Sequence, residues 1–162
     1  MHHHGYAWVG EKRTFDDEAV RRPPHPHPPP PAGPSDAVAQ RLLDRYREVV
    51  AEFAVTDLPP MQTAHWLLKP ASTVRGTWSE PKEAGAWLAD RLAEYASRFA
   101  HGPERDPARL ALLSRVAVER SAWGGDVSLG HYLTGTLFHS VALVTCSPNR
   151  TDPALPCPLK GD

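Results

Sequence analysis

Four side chains late in the chain can hold a metal or begin a covalent reaction: His131, His139, Cys146 and Cys157. Imidazole nitrogen and thiolate sulfur are the usual ligands of structural zinc, which takes four donors in a tetrahedron. Such sites commonly announce themselves by short ligand pairs, CxxC or HxxxH. Here seven, six and ten residues intervene between successive candidates, so spacing alone favours packed side chains. A hairpin over this stretch would still bring His131 and His139 near each other across its turn. Cys146 as a nucleophile would use one of those histidines as its base. It would also need a cation or a helix N-terminus to depress its pKa, and "TCSPN" supplies neither. A Cys146–Cys157 disulfide can close over the intervening loop, but a reducing compartment opposes it.

The other end of the chain reads Met-His-His-His. An amine, two amide nitrogens and the ring of His3 could wrap Cu(II) or Ni(II) in a square plane, a geometry those metals favour. Three adjacent histidines also read as a tag remnant, which carries no information about the fold. His25 and His27 could add ligands, but on a polyproline rod they do not share one face. The metal candidates are therefore His3, His139 and Cys146. No cofactor is expected.

Ligand-binding candidates are His65, Arg75, Trp123, His131 and His139. If "MQTAHWLLKPASTVRGTWSEP" is a hairpin, His65, Thr73, Arg75 and Thr77 lie on the face opposite the core. Arg75 would then anchor a carboxylate or phosphate on a polar shelf. The plainer reading is a solvated sheet face. Trp66, Trp78 and Trp87 sit at inward positions. Trp123, beside two glycines, is the tryptophan expected at the surface, where this residue type often anchors an interface. No phosphate-binding loop, dinucleotide fingerprint, HExxH or GxSxG occurs. "NRT" at 149–151 fits a glycosylation acceptor, which matters only on a secretory route.

These residues need elements to position them. Residues 36 to 55 carry Leu42, Leu43, Tyr46, Val49, Val50 and Phe53 at helical spacing, capped by Ser35 or Asp36. Ser79 with Pro81 opens a second helix, whose buried stripe is Ala84, Trp87, Leu88, Leu92, Tyr95 and Phe99. Asp106 and Pro107 open a third, which Gly124 closes. Residues 73–78 alternate in strand period and pair, as a first hairpin, with 63–68; a short helix over 61–68 is the rival. Residues 128–134 and 136–146 form a second hairpin about "LTGT", because Gly130 and Gly135 would each cost about 1 kcal/mol inside a helix. A lone hairpin is marginal. The expected architecture is therefore α+β: a two-layer sandwich, three helices on a small antiparallel sheet of two hairpins, in the order α-β-β-α-α-β-β.

Eight prolines stand between Pro23 and Pro34. Residues 1–34 are accordingly expected to be a flexible His/Pro-rich tail, residues 35–148 a single domain, and 149–162 a Pro-containing tail. Tyr6, Trp8, Val9 and Phe15 are costly to leave in water, so residues 5–15 should dock on the domain or on a partner.

Isoleucine is absent, Lys occurs 4 times and Arg 14 times, a pattern that GC-rich bacterial codon usage produces. Net charge is -1 and no basic stripe exists, which argues against nucleic acid. The stretch "SRFAHGPERDPAR" is too long and proline-bearing for the turn of a helix-turn-helix. There is no apolar run long enough for a membrane span and no apolar leader, so the expected location is the cytoplasm. The function expected is a partner-binding or accessory module without catalysis, using a sheet edge or the N-terminal aromatic segment. The alternative is a small metal-dependent enzyme or metal-binding protein using His131, His139 and Cys146.

Overall fold

The protein is described from a computed structural model covering residues 1–23 and 26–159. His25 lies outside the described residues. The fold is α+β, with three main helices and a four-stranded antiparallel sheet in the order β2-β1-β4-β3. The strands are β1 (His2–Glu11), β2 (Gly76–Trp78), β3 (Val127–Tyr132) and β4 (Leu137–Cys146). The helices are a one-turn α1 (Lys12–Asp16), then α2 (Ala37–Val55), α3 (Pro81–Tyr95) and α4 (Pro107–Ala122).

The expected N-terminal tail begins instead with an interior strand. β1 pairs with β4 along its whole length, from His2↔Cys146 to Glu11↔Leu137, and with β2 on its other side. Two sequence features concealed it. The prolines that make the region look extended begin only after Arg22. The run of histidines also hides the strand alternation of His2, His4, Tyr6 and Trp8 against His3, Gly5, Ala7 and Val9. Tyr6 and His4 are wholly buried. Gly5 is required by packing, since a Cβ there would stand 2.8 Å from Trp87 and 2.9 Å from Trp78.

The first expected hairpin is also corrected. Residues Thr63–Leu68 and Ala71–Thr73 are short 3-10 turns, and only Gly76–Trp78 is strand. β1 occupies the position that residues 63–68 would have filled, pairing Gly5↔Gly76 and His3↔Trp78. Alternation over six residues fits a strand, but Trp66 and Leu67 are both buried because the turn lies flat on the sheet. The second hairpin forms as the residue pattern indicates, with Gly135 at φ 89° in its turn. The observed order is therefore β-α-β-α-α-β-β, counting the three main helices.

Nor is the architecture two plain layers. On one face, Leu88 and Leu92 of α3 and Ala117 of α4 pack on Val127, Val141 and Leu143. On the other, Trp66 and Leu67 cover Tyr6, Ala142, Val144 and Cys146. β4 is covered on both sides and reads as a near-continuous buried run. Asp36 caps α2 by accepting from the Ala39 amide at 3.2 Å, and Asp106 caps α4 by accepting from Ala108 at 2.9 Å. Ser79 does not cap α3; Glu80 holds that position, with no side-chain bond. Of the three helices expected on the sheet, α2 is not in that layer: only its Phe53 is buried, and no residue of it belongs to either apolar cluster. Among the described residues, no helix is long and apolar enough to cross a membrane.

Candidate metal centre

Strand geometry places the first ligands. His2 and His4 are two residues apart on β1, so their rings stand on the same face of the sheet. Register places the third, because Cys146 is the direct cross-strand partner of His2. The fourth arrives through a turn after β4. Ser147 adopts φ 63°, and the buried Asn149 then organises the return. Its Nδ2 donates to both carboxylate oxygens of Asp126 at 3.1 Å and to the Thr145 carbonyl at 2.8 Å. Its Oδ1 accepts from the amides of Thr151 and Asp152. Leu155 and Cys157 then lie against the apolar cluster around Tyr6.

The ligand atoms of His2, His4, Cys146 and Cys157 all fall within 4.8 Å of one another. The two Nε2 atoms are 3.1 Å apart. Cys157 Sγ stands 3.5 Å from His4 Nε2 and 3.6 Å from His2 Nε2. A zinc tetrahedron with bonds of about 2.05 Å to nitrogen and about 2.3 Å to sulfur has edges of about 3.3 Å between nitrogens and about 3.6 Å between nitrogen and sulfur. The observed separations match those edges. Cys146 and Cys157 are not joined as a disulfide.

The surroundings suit a cation. His4 Nδ1 is 2.8 Å from Thr77 Oγ1. With Nδ1–H donating to that hydroxyl, the Nε2 lone pair faces the centre, the usual arrangement behind a histidine ligand. Burial, then His2 and His3, pushes the His4 pKa down to about 4, so the ring is neutral and able to ligate at neutral pH. Burial pushes the Cys146 thiol up. A metal would therefore displace protons on binding. The Tyr6 hydroxyl is buried without a hydrogen-bond partner beside these thiols, its ring stacked 4.6 Å from Trp66. A metal-bound thiolate there would be an acceptor for this hydroxyl.

The candidates from sequence are distributed differently. His3 is on the opposite face from His2 and His4, its Nδ1 3.2 Å from Thr145 Oγ1. His139 shares that helix-facing side, whereas Cys146 is on the other, so His3, His139 and Cys146 do not form one site. His131 and His139 stand directly opposite each other in the β3–β4 ladder. Phe99 stacks on His131 at 4.1 Å and Tyr95 on His139 at 4.5 Å. Arg75 is exposed, and its amide donates to Gly5 O at 2.8 Å. His65 lines a shallow pocket with Arg22, Met61 and Gln62. Trp123 is 54% exposed, under the Arg150 guanidinium at 4.6 Å. Sequence reasoning passed over His2 and His4 as ligands. The signal available was their i, i+2 spacing within a run bearing Tyr6, Trp8 and Val9.

Compared with family models, curated proteins and solved structures, the chain matches none. Its class is given by the fold and the site: an α+β domain with a cluster of two histidines and two cysteines on one sheet face.

Proposed function

We propose that this chain is a zinc-binding protein whose centre of two histidines and two cysteines fastens β1, β4 and residues 147–157 together. The observation that carries the reading is the spacing of His2 Nε2, His4 Nε2 and Cys157 Sγ, which have the edges of a zinc tetrahedron. Two soft thiolates with two imidazoles select zinc over magnesium or calcium. Catalytic zinc keeps a position for water, whereas four protein ligands fill the coordination sphere. The role is thus structural, and activity toward other molecules falls to the surface. β1 takes residues 5–11 into the sheet, and the outer edge of β3 ahead of Tyr132, whose carbonyl already accepts from the Ala100 amide, is the place for a partner strand.

Cobalt(II) replaces zinc and reports its ligands in visible absorption. Reconstitution of the reduced full chain should give the intense bands of a tetrahedral ion and a sulfur-to-cobalt charge-transfer band. Cys157→Ala should lose about half of the charge-transfer intensity, because one of two thiolates remains. A spectrum of weak octahedral bands, unchanged in Cys157→Ala, contradicts the reading.

A further inference from the structure

A second feature lies on the other face of the sheet, between α3 and the β1–β4 pair. Arg91, Glu94 and Tyr95 share one side of α3 and form the outer wall of a cavity of about 180 Å³. Ala7, Trp8 and Val9 of β1 form another wall, and His139 of β4 lines it as well. His139 is fully buried, yet neither of its ring nitrogens has a hydrogen-bond partner. Arg91 Nε is also buried without a partner, although its Nη1 bonds Glu94 Oε2 at 2.9 Å. Leaving such groups unsatisfied in the interior is costly. Several in one cavity mark a place where something else supplies the acceptors.

We propose that this cavity binds a small monocarboxylate, with the carboxylate accepting from Arg91 Nε–H and a ring N–H of His139, and its apolar end against Ala7 and Val9. The chemistry follows from the donors. Arg91 presents a fixed N–H that only accepts a partner with lone pairs. A neutral imidazole offers one N–H, and burial pushes the His139 pKa down to about 4, so neutral is its resting form. Two donors on different elements that line one cavity fit two carboxylate oxygens. Glu94 is paired with the Nη1 of Arg91 and leaves its Nε–H to the cavity. The volume admits a molecule of a few heavy atoms, and the apolar walls suit a short hydrocarbon end. The site is independent of the metal centre, since His139 and Cys146 face opposite sides of β4.

The test is a titration of the full chain with sodium propionate at constant ionic strength, read by the ring nitrogen resonances of His139. Propionamide and an alanine tripeptide with a C-terminal carboxylate serve as parallel arms. The expected result is saturable movement of the His139 signals with propionate and none with propionamide or the tripeptide. Arg91→Gln, a half-exposed position whose change leaves the core intact, should weaken propionate about tenfold or more. Glu94→Gln should retain binding. Saturable movement with the tripeptide would assign the carboxylate to a chain end and overturn the small-molecule source. Equal response to propionamide, or no response to any arm with the His139 signals intact, overturns the carboxylate site and leaves the cavity to water.

Discussion

A chain lacking residues 1–11 should not fold. The deletion removes β1, which pairs with β2 on one side and β4 on the other, so it splits the sheet and does not trim an edge. Tyr6 and His4 leave the interior, Trp66 loses its stacked partner, and β4 is opened along its full length. Net stability of a domain is about 5–15 kcal/mol. A single buried aromatic side chain truncated to alanine costs about 3–5 kcal/mol. The loss of an interior strand exceeds what remains. The measurement is thermal unfolding followed by circular dichroism. The full chain should melt cooperatively and the truncated chain should show no cooperative transition. Tyr6→Ala, a milder change, should lower the midpoint by about 10 °C, using about 2–4 °C per kcal/mol for a chain of this size. Were residues 1–11 a tail, the truncated chain would melt as the full one does.

Removal of zinc should be the next largest effect. In isolated zinc-finger peptides, metal binding is worth about 10–16 kcal/mol. Here the apolar clusters on both sheet faces remain without metal, so the sheet should persist. What should fail is the attachment of residues 147–157, which carry Cys157 to the site and otherwise rest on the Asn149 hydrogen bonds, Leu155 and the Arg150 bond to Trp123 O. A strong chelator should lower the midpoint by about 10 °C or more. Trypsin should then cut after Arg150, which the zinc-loaded chain resists. Cys157→Ala should reproduce both changes without chelator. A chelator that alters neither would show that the four side chains hold nothing.

The helices were legible because each carries its own instructions. Asp36 and Asp106 cap where the residue pattern places them, and the stripe of Leu88 and Leu92 meets the sheet as helical spacing requires. The β3–β4 hairpin was legible because its partner strand is adjacent in sequence and Gly135 marks the turn. β1 was not, because its partners lie 71 to 144 residues away along the chain, from Gly5↔Gly76 to His2↔Cys146, and no local signal names them. A central strand is specified by what covers it, and His2–His4 have no apolar character to reveal that cover. The candidate metal centre was illegible for the same reason. Cys146 and Cys157 were visible as candidates, but the histidines that join them come from the opposite end of the chain. Spacing rules detect ligands presented by one local element; here cross-strand register assembles them.

X-ray absorption at the zinc edge, on full-length protein reconstituted with one equivalent of zinc, reads the inner shell directly. The account predicts two nitrogen scatterers at about 2.0–2.1 Å and two sulfur scatterers at about 2.3 Å, with one sulfur lost in Cys146→Ser and one imidazole lost in His4→Gln. A shell of nitrogen and oxygen alone, unaltered by either substitution, would contradict it.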